Sequence, residues 1–151
     1  MESLLRFARS SIGAKVVMAA AGAVLALFVL GHMIGNLQLF SGADRLNSYA
    51  AMLQGMGKAL WGVRAVMLAV VGLHITFGIR LVLLNRAARP KAYAKKQNVE
   101  TTIGARTMAI SGSVMLAFLI YHLLHFTAEV TNPDQAGLFD GQGRHDVYAM
   151  V

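Results

Sequence analysis

Val16 to Gly35 is a run of 20 residues in which His32 is the only ionisable side chain. About 20 mostly apolar residues are what a helix needs to cross the roughly 30 Å hydrocarbon core of a bilayer. The run therefore predicts an integral membrane protein. Composition agrees: of 151 residues, 56% are hydrophobic and 14% charged, where an ordinary soluble domain carries about a quarter charged. So little charge excludes a disordered chain. The absence of cysteine excludes a disulfide scaffold, thiolate-held zinc, iron–sulfur clusters and covalent c-type haem as properties of this chain.

Three segments have this character: roughly 14–40, roughly 60–85 (interrupted only by Arg64, His74 and Arg80) and roughly 106–129. None contains proline, and leucine, alanine and methionine dominate, which suits continuous helices. Nothing alternates with period two over barrel-strand lengths. The expected fold is an all-α membrane protein, a transmembrane helical bundle with three helices in this chain, forming one domain over 1–151. The first segment exceeds the 7–15 residues of a signal-peptide core, so it reads as a retained span.

Between the spans, residues 41–58 contain a short amphipathic helix with Leu46, Tyr49, Ala50 and Leu53 on one side, suited to the membrane surface or to capping a bundle. Residues 86–106 are strongly basic, and Pro90 discourages continuation of the second helix. Residues 130–151 are polar and turn-rich, with Asn132-Pro133 and several glycines.

The net charge of +7 reports orientation rather than a nucleic-acid partner, because basic residues favour the cytoplasmic face. If the N-terminus and the 86–106 loop share a side, that side holds ten of the 14 basic residues, leaving Arg45, Lys58, Arg64 and Arg144 on the other. The N-terminus is then cytoplasmic. Beyond fixing topology, the basic loop is a surface for a cytoplasmic partner or anionic membrane lipid.

Four of the five histidines fall inside spans: His32, His74, His122 and His125. Ionisable residues at membrane depth are costly and usually face a partner or a function. Imidazole is also the commonest haem ligand. The plainer reading of each is a hydrogen bond across helices, worth about 1 kcal/mol. Depth separates them. At 1.5 Å per residue, His32 lies about 24 Å from Val16, His122 about 22 Å and His125 about 27 Å from Thr107, and His74 about 16 Å from Asn85. His32 and His122 thus share a level near the outer face and could clamp one haem iron, with His125 as the runner-up. His74 sits deeper, towards the cytoplasm, and the sequence supplies no histidine to join it.

Glycines flank His32 (Gly31, Gly35) and His74 (Gly72, Gly78), spacing that serves helix packing first and close approach of a flat macrocycle second. Arg64 and Arg80 are candidates for haem propionates, since guanidinium grips a carboxylate at two points. Both are also placed to snorkel to the nearer interface. His145, in the polar tail, reads as a solvated surface residue.

At these positions the chain resembles a known family. SSIGAKVVMAAAGAVL, GHMIGNLQLFSGADRLNSYAAMLQ, LWGVRAVML, YHLLHFT and RHDVYAMV are similar to the cytochrome b558 membrane anchor of succinate dehydrogenase, whose superfamily also serves quinol:fumarate reductase. The resemblance covers nearly the whole chain and implies five transmembrane helices and two b haems with histidine axial ligands. The outer haem iron would join His32 to His122, and the inner would join His74 to a fourth-helix histidine that this chain lacks. It further implies flavoprotein and iron–sulfur subunits docked at the cytoplasmic face, electron exchange with menaquinone or ubiquinone, and residence in a bacterial cytoplasmic membrane. The sequence ends at Val151, where such a chain enters its fourth helix, so it is expected to be a piece of one. Two alternatives stand beside this: a haem-free structural anchor that shapes a quinone pocket, and a cytochrome b subunit of another membrane oxidoreductase such as a hydrogenase or formate dehydrogenase.

Overall fold

The computed structural model describes residues 6–7, 10–88 and 101–151. Helix α1 spans Ser11–Asn36 and tightens into a 3-10 turn over Leu37–Ser41. Helix α2 spans Ala43–Gly55, α3 Lys58–Ala87 and α4 Ile103–Phe126, and a single turn, α5, covers Pro133–Ala136. Among the described residues the only extended pairing is an isolated bridge between Phe139 and His145. The protein is all-α.

Local chemistry sets the helix ends. The Ser10 side chain accepts from the Gly13 amide at 2.9 Å and starts α1. Thr102 does the same for α4 through Ala105 at 3.2 Å. Each hydroxyl satisfies one of the amides that a helix start leaves without a partner. Gly42 (φ 96°) and Gly57 (φ 54°) turn the chain into α2 and α3, conformations that residues with a Cβ rarely adopt.

The expected spans of 14–40 and 60–85 correspond to α1 with its 3-10 turn and to α3. The third, expected at roughly 106–129, runs from Ile103 to Phe126. The Thr102 cap sets the start. At the other end the Ala128 amide turns back to the Leu123 carbonyl (2.9 Å) and Val130 to that of Leu124 (3.0 Å), with Glu129 left-handed at φ 54°. That closure resembles a Schellman cap in which glutamate stands where glycine is usual.

Helices of 26, 30 and 24 residues are about 39, 45 and 36 Å long at 1.5 Å per residue, each longer than the roughly 30 Å hydrocarbon core. Only 6% of the most apolar stretch of α1, 6% of that of α3 and none of that of α4 is buried within the protein. Their side chains therefore face outward, as helices solvated by lipid do. All three are long and apolar enough to cross a membrane.

The chain divides into two compact units. One comprises Met1–Ser41 and Ala51–Ala92, and its centre is the pairing of α1 with α3. The other comprises Gly42–Ala50 and Tyr93–Val151, with the first turns of α2, all of α4 and the C-terminal segment. Pro90 and most of the basic segment 86–106 lie outside the described residues.

Candidate functional site

In the first unit, His74 of α3 turns towards α1. Its Nδ1 lies 3.1 Å from the carbonyl oxygen of Met18. A carbonyl can only accept, so Nδ1 carries the proton and Nε2 keeps its lone pair. Gly22 makes room for the ring: a Cβ there would stand 3.1 Å from Cε1 and 3.4 Å from Nδ1 of His74. One turn away, a Cβ at Gly78 would meet the Met18 sulfur at 3.8 Å. Gly22 facing His74 and Met18 facing Gly78 define an antiparallel register, each step up α1 matched by one down α3.

That register orders the other candidates. His74 packs on the Met18–Gly22 stretch of α1, 10 to 14 residues before His32, hence about 15–21 Å from it along the axis. The two imidazoles occupy different levels, as the sequence implied. Carried along the hairpin, the register sets Arg64 level with His32, and Arg80 level with Val16. An open apolar groove of about 340 Å³ runs along the seam, lined by Val16, Val17, Ala20, Ala21, Val24, Val70 and Leu73.

The two arginines behave differently. Arg64 lies over the Trp61 ring, 4.9 Å from its centroid, and leans towards the nearer end of α3, as a snorkelling side chain does. Arg80 lies 5.9 Å from the Phe77 centroid, leaning away from its nearer end at Ala87. Side chains on a helix tilt towards its N-terminus, and for Arg80 that direction is into the span.

His32 is exposed on the outward face of α1. Its ring stacks on Phe28 with centroids 5.5 Å apart. The Asn36 amide donates to the His32 carbonyl at 2.7 Å and stands 3.3 Å from Nδ1. His122, in the second unit, is half-buried between Phe118 (5.7 Å) and Phe126 (5.1 Å), each one turn away on α4.

His125 differs from the other span histidines. It is 7% exposed, with Nε2 3.1 Å from the Met150 carbonyl and Nδ1 2.9 Å from the Thr131 hydroxyl. The carbonyl fixes the proton on Nε2, and Nδ1 accepts from Thr131. Neither nitrogen has a lone pair left for a metal.

That segment is fastened at a second point by Asn47 of α2, 1% exposed and the most deeply buried polar side chain described. Its amide nitrogen donates to Asp146 (2.9 Å) and Asp140 (3.3 Å), and its oxygen accepts from the Tyr148 amide (3.0 Å). Arg144 joins Asp140 (2.8 Å), Asp44 (2.8 Å) and the Ser48 hydroxyl. The Arg144 side-chain hydrogen bond is the largest influence on the Asp140 carboxyl, with backbone amides and Asn47 adding to it against burial, and brings it from 3.8 to about 2. Asp140 and Asp44 in turn raise the Arg144 pKa. His145 is half-buried here, not solvated: Nε2 lies 3.0 Å from the Ala136 carbonyl and the ring meets Phe139 edge-on.

Among the described residues no three histidine, aspartate or glutamate side chains converge to cage a metal. His74, its Nδ1 proton held by a backbone carbonyl, has the outer-sphere arrangement that orients metal-ligating imidazoles. Compared with protein-family models, curated proteins and solved structures, the chain matches none.

Proposed function

We propose that the protein is a haem-b-binding membrane anchor of succinate:quinone oxidoreductase, in the bacterial cytoplasmic membrane with its N-terminus inside. The observation that carries this reading is the His74 imidazole, pinned by the Met18 carbonyl in the space left by Gly22. A histidine at membrane depth with a fixed tautomer and an Nε2 lone pair is built as a ligand. His32 and His122 would hold the outer haem, and His74 the inner one together with a histidine that these residues do not supply. Arg64, level with His32, would face an outer propionate, and Arg80 an inner one.

When bound, haem supplies one-electron transfer. The chain contributes axial ligation, burial and orientation, which set the potential, and carries out no carbon chemistry. Electrons would pass between flavoprotein and iron–sulfur subunits at the cytoplasmic face and menaquinone or ubiquinone in the bilayer. The haem-free anchor draws its support from His125, an imidazole wholly taken up in packing.

Reduced-minus-oxidised absorbance of the purified membrane protein tests the reading. A b-type α-band is expected, diminished in His32→Ala and His122→Ala and retained in His125→Ala. No band in the wild-type protein refutes it. Co-purification of a flavoprotein separates this anchor from a hydrogenase or formate dehydrogenase cytochrome.

A further inference from the structure

We propose that His125 is a positioning residue: it sets the ring orientation of the haem ligand His122 and couples it, through Phe126, to the C-terminal segment. The proposal rests on the haem-binding reading above.

His125 is held from outside its helix. Its two nitrogens engage Met150 and Thr131, residues of the segment that follows α4, at 3.1 and 2.9 Å, and the Asn132 amide stands 3.4 Å from Nδ1. With both nitrogens engaged and the residue 7% exposed, the ring cannot turn without leaving a buried polar atom without a partner. Its faces and edges then order the neighbouring rings. Tyr121 stacks on it at 5.7 Å with 13° between planes, and Phe126 meets it edge-on at 4.4 Å and 85°. Phe126 packs in turn against His122 at 5.1 Å. The path from Met150 to the His122 imidazole is thus one hydrogen bond and two ring contacts.

The His32 ring stacks on Phe28 and stands beside Asn36, both on its own helix. The plane of an axial imidazole and the hydrogen bonds around it tune the iron. Through Phe126, the electronics of the α4 ligand would respond to the fold of the C-terminal segment.

The test uses the purified complete protein and three variants. His125→Phe keeps a ring and loses both hydrogen bonds, Thr131→Val loses one, and Phe126→Leu keeps the clasp and loses the relay. Haem content is read from the b-type band, ligand geometry from the low-spin paramagnetic resonance g-maximum, and the clasp from trypsin cleavage after Arg144. All three variants are expected to keep wild-type haem content and to shift the g-maximum of one haem. Thr131→Val should be cut up to about tenfold faster, the effect of losing one hydrogen bond, and His125→Phe, which loses two, faster still, whereas Phe126→Leu should be cut at the wild-type rate. Unchanged g-maxima in the haem-replete variants would overturn the proposal, as would loss of the band in His125→Phe with retention in Thr131→Val, which makes His125 a ligand. If wild-type protein shows no b-type band, the parent reading fails first, and the two failures are told apart.

Discussion

The Nδ1 atom of His74 and the carbonyl oxygen of Met18 meet at 3.1 Å across the seam of α1 and α3, beside the space that Gly22 leaves open. A residue without a side chain on one helix and a histidine on the other fix both the register of the hairpin and the tautomer of the imidazole. Packing and site chemistry depend on the same contact.

Gly22→Ala should therefore be damaging beyond its size. The added Cβ would lie 3.1 Å from Cε1 of His74, closer than an ordinary van der Waals contact, so the ring or the helix must shift. Overpacking of this kind costs about 1–3 kcal/mol. The expected outcome is a lower melting temperature together with a displaced or missing contribution to the reduced b-type spectrum. Gly72→Ala is the control: it neighbours His74 in sequence, yet a Cβ there meets nothing within 4 Å. Its spectrum should be that of the wild type.

Asn47→Leu should loosen the C-terminal segment while leaving the spans intact. The substitution removes two donated bonds and the acceptor for the Tyr148 amide, leaving polar groups without partners at a site 1% exposed. The expected loss is about 1–3 kcal/mol, seen as earlier thermal unfolding and faster cleavage after Arg144. Asn47→Asp should be at least as harmful, because it sets a third carboxylate against Asp140 and Asp146.

What could be read from the sequence follows from the range of the interactions involved. Apolar runs report helices because lipid asks the same of every residue in a span, and the ends of α1 and α3 emerge within a few residues. The exact limits of α4 depend on a Thr102 hydroxyl and a left-handed Glu129, neither of which alters hydropathy. The amphipathic helix at 41–58 was legible, and Leu46 is indeed buried, but its most buried residue is polar. Asn47 owes its burial to Asp146 and Tyr148, about a hundred positions away, so no local pattern marks it. Gly31, Gly35, Gly72 and Gly78 lie close to histidines in sequence; Gly22 lies beside His74 only in space. Nothing local sets His125 apart from the other span histidines, because its two nitrogens are engaged by Met150 and Thr131 of the segment after α4.

Acid should release the C-terminal clasp in a defined window. The Asp140 carboxyl is held down at about 2 from 3.8, mainly by Arg144. Its folded pKa lies below its unfolded one, so the stabilisation is fully present above the unfolded value and is lost as pH falls from about 4 towards 2. Amide-exchange protection at Tyr148, corrected for intrinsic rates, should be level from pH 8 to about 5 and decline below 4. Asp140→Asn should show weaker protection throughout and a flatter acid limb. Equal acid sensitivity in that variant would move the cause elsewhere.

Orientation can be measured directly, because the chain has no cysteine and any one introduced is a unique label. Gln142 and Thr101 are both exposed, one in the C-terminal segment and one just before α4. They flank a helix about 36 Å long, so in a membrane they lie on opposite sides. With ten of the 14 basic residues on the side of the N-terminus and the 86–106 loop, that side should be cytoplasmic. In intact spheroplasts an impermeant maleimide should label Gln142→Cys and spare Thr101→Cys until the membrane is opened. The reverse pattern would invert the topology and move the Asn47 clasp to the cytoplasmic face. Labelling of both sites in sealed spheroplasts would mean that α4 does not span the membrane, and the sequence expectation of a common level for His32 and His122 would fall with it.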